Sequence, residues 1–449
     1  MSTEDPGAAT AELRRSFGWR MATAAAGLVS TLLLTVVGVR ALEPADAAVL
    51  LSVLAALSIG PLLGRLGLGP NVIRLLPAEP DPERRRVVAG THVRATGLLS
   101  SLSAPVVALV ATIGLAGESR HLPVLLLTAS LILLESLRLT LSDVFAALGR
   151  VGWSVATTHH VRSTLALPLV GVAVLVSARP TLVELLAVYT AVAAVQLAVA
   201  LVAARRCVAL GGMRSRPVLG SAIGSGMVLF TLDLAAFLAG PGTVWLASAV
   251  FEPVAAAQYS TAAVLAMQVT VLESLASLAM MPAAARLWAG GHREAVVRML
   301  AAVATLSTVV TVVAVLALWA VGGPLLGLAY GPEFASAHLL LVVLAAGGIA
   351  KTAFGGNVSL LIISGHIRRA ALTALAVLAV FVPVVILSAV FAGPPGLAVA
   401  SAASVIALGL AQWFTARLAV AEPPRAGWRI VAAWRDVAGE GRSHPVVAR

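Results

Sequence analysis

The chain has 449 residues, of which 59% are hydrophobic and 11% charged, and its mean hydropathy is +0.98. This balance excludes a soluble globular protein and indicates an integral membrane protein. The formal net charge of +11 would suit a nucleic-acid-binding protein, but the cations lie in short loops between apolar runs, so we expect no nucleic acid as a partner.

Continuous apolar runs follow one another along the chain and predict transmembrane helices. A bilayer core about 30 Å thick requires roughly 20 apolar residues per helix, and the runs lack the alternation that is typical of barrel strands. We predict six spans in the first half, at 21–39, 47–66, 87–115, 122–148, 153–176 and 182–204. Six more follow in the second half, at 218–239, 255–281, 295–321, 337–364, 370–391 and 397–419.

Lys and Arg are concentrated in alternate loops, which predicts how the chain is oriented. Of the 31 Lys and Arg residues, 24 fall in the segments 1–20, 65–86, 149–152, 205–217, 286–298, 366–369 and 417–449. Only Arg40, Arg120 and Arg179 fall in the loops of the opposite side. The positive-inside rule therefore predicts a multi-pass protein of the cell inner membrane with both termini in the cytoplasm.

Short motifs recur in the two halves in the same order. The segment "PNVIRLLPA" (70–78) resembles "PAAARLWA" (282–289), and both follow the second span of a six-span set. Two further pairs, with offsets of 209 and 216 residues, are "ALEPADAAVL" (41–50) with "VFEPVAAAQY" (250–259) and "AALGR" (146–150) with "IISGH" (362–366). A duplication explains these pairs. We therefore predict an all-α fold of two six-helix bundles, related by a pseudo-twofold axis along the membrane normal, with a central cavity between them.

The predicted bundles and loops define the domain organisation. The Arg-rich, Gly-containing sequence "RRCVALGGMRSRP" marks a connector between the bundles. Cys207 is the only cysteine, so neither an intramolecular disulfide nor a thiolate metal cluster is expected. In the final residues, Trp428 with Val431 and Ile430 with Trp434 fall at helical spacing, which fits a short helix on the cytoplasmic leaflet or a disordered tail. The predicted parts are a cytoplasmic segment 1–16, a bundle 17–206, a connector 207–217, a bundle 218–420 and a cytoplasmic tail 421–449.

Three stretches resemble one family of exporters. The stretch "VGVRALEPADAAVLLSVLAALSIGPLLGRLGLGPNVIRLLPA" resembles the first helical hairpin of Wzx-like polysaccharide flippases, a branch of the multidrug/oligosaccharidyl-lipid/polysaccharide (MATE-like) exporter superfamily. The segments "YSTAAVLAMQV" and "YGPEFASAHLLLVVLAAGGIAKTAFGGNVSLLIISGH" are similar to later helices of the same family. The resemblance covers roughly residues 15 to 420.

This resemblance implies a substrate and partners. Members of the family move a polyprenyl-pyrophosphate-linked oligosaccharide from the inner to the outer leaflet by alternating access, for cell-surface polysaccharide biosynthesis. It also implies contact with membrane lipids and with the glycosyltransferases or polymerase of the same pathway. Some members carry further helices after the twelfth, and this sequence does not show them.

Cations inside the predicted spans are candidates for binding an anionic head group. An ionised side chain near the bilayer centre costs about 2.5–3.5 kcal/mol on insertion scales, so it normally lines a cavity or is paired. Lys351 is the only Lys and lies in mid-span between two Gly pairs. We expect it to face a cavity and bind substrate, and the alternative is a structural salt bridge to Asp233 or Glu273.

Two further cations of the first half are candidates for the same role. Glu135 and Arg138 share one helix face, and Arg162 lies roughly 15 Å inside the next span. We predict Arg138 and Arg162 as substrate-binding residues, and pairing of Arg138 with Glu135 is the alternative. Glu135, Asp233 and Glu273 are candidate ion-coupling residues or counter-ions.

Alternative functions remain open at this point. The sequence has no GxxxxGK[ST] loop, no HExxH and no Cys/His ligand set, so we expect neither an enzyme nor a cofactor or metal. A cation-coupled multidrug antiporter of the same superfamily would depend on Asp233 and Glu273 instead of the cations. A non-transporting scaffold for polysaccharide assembly enzymes would depend on its loops and tolerate loss of all three cations.

Overall fold

The computed structural model describes residues 6–115, 117–177, 180–208, 216–420 and 423–427, and every regular element in these ranges is helical. The predicted all-α fold class is confirmed. The chain divides into two compact units, residues 1–230 and 231–449, which we call unit 1 and unit 2. The greater part of the predicted connector, the predicted outer-side residue Arg179 and the predicted tail helix lie outside the described residues.

Unit 1 contains eight α-helices and the beginning of a ninth within the described ranges. They are α1 (Pro6–Ala41), α2 (Pro44–Arg65), α3 (Leu68–Ala78), α4 (Pro82–Ala111), α5 (His121–Ala147), α6 (Val151–Ala156), α7 (His159–Val176), α8 (Leu182–Cys207) and α9 (Arg216–Ala239). Unit 2 contains the end of α9, then α10 (Thr243–Val250), α11 (Pro253–Gln268), α12 (Val271–Ala289), α13 (Arg293–Tyr330), α14 (His338–Phe354), α15 (Gly356–Ile363) and α16 (Ile367–Ala419).

Apolar helices in the described residues match the predicted spans closely in number. Nine helical segments are long and apolar enough to cross a membrane, and the pair Gly226–Ala239 and Thr243–Val250, bent by 45°, gives a tenth. A shorter apolar segment, Ala25–Ala41, coincides with the first predicted span. The predicted spans 370–391 and 397–419 together form α16, whose helical backbone is interrupted at Gly393 (φ 62°). The multi-pass membrane fold agrees with the prediction, and the axis that would relate the units stays a prediction.

Helix starts and ends follow ordinary sequence signals. Proline is the first residue of α2, α4 and α11, a position at which its missing N–H leaves no intrahelical hydrogen bond unmade. At the start of α8, Thr181 and Glu184 form a capping box, with hydrogen bonds of 3.2 Å and 2.8 Å between each side chain and the other residue's backbone. These signals place the helix ends where the apolar runs stop.

Three of the predicted continuous spans are broken. The span 153–176 breaks at Thr157 and Thr158, between α6 and α7. The span 255–281 breaks at residues 269–270, between α11 and α12, and the span 337–364 breaks at Gly355, between α14 and α15. Hydropathy reports side-chain chemistry and not backbone conformation, so apolar runs do not reveal such breaks. Discontinuous helices are common at the binding sites of transporters.

Helices α1 and α7 pack closely in unit 1 because a glycine lies at their crossing. A Cβ atom added at Gly27 would overlap the backbone and Cβ of His160. One turn further, the Thr31 hydroxyl donates to Ser163 Oγ at 3.0 Å. Small residues and hydroxyl pairs of this kind let transmembrane helices approach without leaving polar groups unpaired.

The two units carry the same apolar cluster at corresponding positions. Each cluster closes one end of its unit and includes the residue that follows the last helix of the set. The members in unit 1 are Val72, Leu76, Val144 and Val208, and those in unit 2, at offsets of 212, 212, 216 and 212 residues, are Ala284, Trp288, Leu360 and Val420. These are also the offsets of the paired motifs, so the repeat that the sequence indicates is present in the packing of the units.

Candidate functional site

A cluster of three charged side chains is buried in unit 1. Glu135 and Arg138 lie on α5 and Arg162 lies on α7, with exposed fractions of 2%, 0% and 6%. One carboxylate oxygen of Glu135 accepts a hydrogen bond from Arg138 and the other accepts one from Arg162. Glu135 is therefore the counter-ion of both guanidinium groups in this structure.

The same cluster closes the break between α6 and α7. A helix break frees backbone carbonyls, and burying them without partners is costly. Arg138 donates to the carbonyl of Thr157. Ser142 donates to the carbonyl of Ser154 at 2.9 Å, and Gln196 of α8 donates to the carbonyl of Ala156 at 2.7 Å. Side chains from α5 and α8 thus satisfy the carbonyls of the break.

The cluster carries an excess of positive charge, because two guanidinium groups share one carboxylate. The Nε atoms of Arg138 and Arg162 are buried and make no hydrogen bond within the described residues. Such an arrangement suits an anion electrostatically. Contact of either arginine with substrate stays a prediction, since both are covered by protein here.

A second ion pair in unit 1 was not foreseen from the sequence. Arg65, at the end of α2, bonds Asp143 of α5. Arg65 was counted among the loop cations and Asp143 was not singled out. Asp143 follows Ser142 on the helix that carries Glu135 and Arg138, so a polar stripe on an apolar helix was the signal that could have indicated it.

Lys351 lies in the last turn of α14, and its side chain is exposed. Its ammonium donates to the hydroxyl of Thr270 at 3.1 Å, and Thr270 lies at the break between α11 and α12. Within the described part of the chain, Lys351 forms no ion pair with Asp233 or Glu273. The charge therefore rests on one hydroxyl partner, between two helix breaks.

Glu273 lies beside this lysine on α12. Its side chain is 7% exposed and accepts a hydrogen bond from Ser277 at 2.8 Å. It is near enough to Lys351 to interact electrostatically with the ammonium. A Cβ atom at Gly355 would lie 2.6 Å from Glu273 Oε1, so the glycine permits the carboxylate to lie against the break between α14 and α15. Asp233 is exposed on α9.

Glu135 and Lys351 occupy corresponding positions of the two repeats. They are 216 residues apart, which is the offset between the turns that follow α5 and α15. Their next neighbours, Ser136 and Thr352, are both fully buried. Arg138, however, corresponds to Phe354. Unit 2 thus has a charge at this position but lacks the guanidinium partner found one turn away in unit 1.

The fold and these sites define a multi-pass membrane protein with two helical units and charged side chains at helix breaks. The structure is similar to the lipid II flippase MurJ in an inward closed conformation, with a TM-score of 0.70 at 10% identity over 94% of this chain and 90% of that chain.

Transporters named MATE share the fold as well. A mutant of the Vibrio cholerae MATE transporter VcmN gives a TM-score of 0.63 at 16% identity over 92% of this chain and 98% of that chain. The MATE multidrug transporter DinF-BH, in a complex with a small molecule, gives 0.56 at 12% identity over 90% and 94%. No family model and no curated protein matches the sequence. The chain therefore has the fold of MATE transporters and of MurJ.

Proposed function

We propose that the protein is a Wzx-like flippase that moves a lipid-linked anionic oligosaccharide from the inner to the outer leaflet of the cell inner membrane by alternating access. The observation that carries this proposal is the exposed ammonium of Lys351 on an apolar helix. An exposed charge at that depth is costly against lipid but stable beside water or an anion. The fold shared with a lipid II flippase supports the same class of substrate.

The substrate contacts follow from the charges. A pyrophosphate group carries negative charge and several acceptor oxygens, so a lysine with three donors and one hydroxyl partner can bind it. Arg138 and Arg162 would bind the same group only if the cluster opened, because Glu135 occupies both in the present state. Lys351 is therefore the first contact we propose, and the two arginines act later in the cycle. Glycosyltransferases or a polymerase of the same pathway are the proposed protein partners.

A second candidate is a cation-coupled multidrug antiporter. It is favoured by the MATE transporters among the similar structures and by the exposed carboxylate of Asp233. Such a protein would use Asp233 and Glu273 to bind the coupling ion. Lys351 would then be dispensable, and neutralising the carboxylates would abolish activity.

The two functions are separated by a translocation assay in proteoliposomes. A fluorescent polyprenyl-pyrophosphate-linked sugar is placed in both leaflets, and the fraction protected from a membrane-impermeant quencher reports flipping. We expect flipping by the wild type, a large loss in Lys351→Ala and retention of most activity in Lys351→Arg, because the arginine keeps the charge.

Arg369→Ala is the matched control, since it removes another exposed cation of unit 2 at the start of α16. It should flip the probe at the wild-type rate. Equal rates for wild type and Lys351→Ala would contradict the role of Lys351. Efflux of a cationic dye without any flipping of the sugar probe would favour the antiporter.

A further inference from the structure

The chain turns back into unit 2 after its last helix. Residues 423–427, which we call the C-terminal strap, are extended and contact α13 and the joint between α14 and α15. The N–H of Ala426 donates to the carbonyl of Ala353 at 3.2 Å, and the N–H of Gly427 donates to Thr305 Oγ1 at 3.0 Å. Pro424 is buried, and its Cγ lies 3.5 Å from a Cβ built at Gly356.

The strap runs along α13 toward the middle of the helix. Val420 belongs to the apolar cluster that contains Val296 and Leu300 near the start of α13. Thr305, which binds Gly427, lies 12 residues after Arg293, about 18 Å along the helix axis. The strap is therefore inserted beside the helix and does not hang from its end.

The strap sequence suits irregular backbone in an apolar surrounding. Extended backbone is tolerated at such depth only where its polar groups are paired or reach water. Pro423 and Pro424 have no N–H to pair, and the N–H groups of Ala426 and Gly427 are both hydrogen-bonded. Prolines also lower the entropy that the chain loses when it is ordered.

The acceptors of the strap lie next to the candidate site. Ala353 is two residues after Lys351 and two before Gly355, where α14 ends. One turn beyond Thr305 on α13, Thr308 donates to Thr352 Oγ1 at 3.3 Å, beside Lys351. The strap thus ties together α13 and the end of α14 that carries the lysine.

We propose that the C-terminal strap is an autoinhibitory restraint: it holds the α14–α15 joint in the present conformation and must leave its groove for unit 2 to change shape. Its effect on transport rate rests on the proposed function. Its effect on the local conformation does not, so the two can fail separately.

Hydrogen–deuterium exchange of the full-length protein in nanodiscs tests the restraint without any substrate. Thr305→Val removes the acceptor for Gly427 and keeps the side-chain shape. We expect the amides of Ala426 and Gly427 to exchange about fivefold faster in this variant, which corresponds to the loss of one ordinary hydrogen bond. Amides of the joint at 355–357 should accelerate with them.

Thr190→Val is the matched control, because Thr190 and Thr305 both donate to a carbonyl one turn earlier at 2.7 Å and only Thr305 also accepts from the strap. It should leave exchange at the strap and the joint unchanged. Wild-type exchange of Ala426 and Gly427 at the rate of an unstructured peptide would overturn the proposal. Equal behaviour of the two variants would overturn it as well.

A reversible crosslink tests whether the strap must move. Gly356→Cys and Pro424→Cys, combined with Cys207→Ser, place two thiols at a contact that measures 3.5 Å from Cβ to Cγ in the structure. We expect oxidation to stop flipping of the fluorescent polyprenyl-pyrophosphate sugar and reduction to restore it. Failure to crosslink, or an unchanged rate in the crosslinked protein, contradicts the restraint. Should the wild type not flip the probe, the proposed function fails, and the exchange experiment alone decides about the strap.

Discussion

Replacing Glu135 by Gln should destabilise unit 1 strongly. The substitution keeps the size of the side chain but removes the only carboxylate that, within the described residues, pairs with Arg138 and Arg162, which are 0% and 6% exposed. Removing one partner of a buried ion pair costs about 3–5 kcal/mol, because an uncompensated charge remains inside. For a unit of about this size, each kcal/mol lowers the unfolding midpoint by roughly 2–4 °C, so we expect a fall on the order of 10 °C.

The measurement is the thermal midpoint of the purified protein in detergent, followed by size-exclusion chromatography with fluorescence detection. Glu83→Gln is the control, because its ion pair with Arg86 is exposed and such pairs contribute about 0–1 kcal/mol. Combining Glu135→Gln with Arg162→Gln should recover part of the loss, since one uncompensated guanidinium then remains instead of two. A midpoint for Glu135→Gln no lower than that of Glu83→Gln would refute the buried cluster.

Two further predictions concern packing in unit 1 and use the same thermal assay. Gly27→Ala should cost about 1–3 kcal/mol, because its Cβ would overlap His160 where α1 crosses α7; Gly171→Ala, which has open space around it, should be neutral or slightly stabilising. Gln196→Leu should cost about 1–3 kcal/mol, because the carbonyl of Ala156 at the helix break loses its donor. Equal midpoints for the two glycine variants, or an unchanged midpoint in Gln196→Leu, would contradict these contacts.

The sequence was informative about the fold where hydropathy and repetition decide it. The predicted spans 122–148 and 182–204 correspond to α5 at His121–Ala147 and α8 at Leu182–Cys207. Repeated turns foretold the corresponding apolar clusters of the two units. The breaks at Thr157, Thr270 and Gly355 were missed, because apolar composition continues through them and tertiary hydrogen bonds stabilise the broken backbone.

The candidate site was predictable only where partners are close in sequence. Glu135 and Arg138 are three residues apart, so helix geometry alone brings them together. Arg162 joins them from another helix, and Arg65 meets Asp143 across 78 residues, so neither contact has a local signal. The strap was missed for the same reason, since its two acceptors lie far upstream of Ala426 and Gly427.

The central claim is that Lys351 faces an aqueous path and not the acyl chains. Its most direct test is the labelling of Lys351→Cys, in a Cys207→Ser background, by a membrane-impermeant thiol reagent in intact membranes. Leu316→Cys is the control, since Leu316 is 59% exposed on an apolar stretch of α13 and should contact lipid. We predict that the cysteine at position 351 is labelled and that the one at position 316 is not. Labelling of neither position would place Lys351 against lipid and contradict the account.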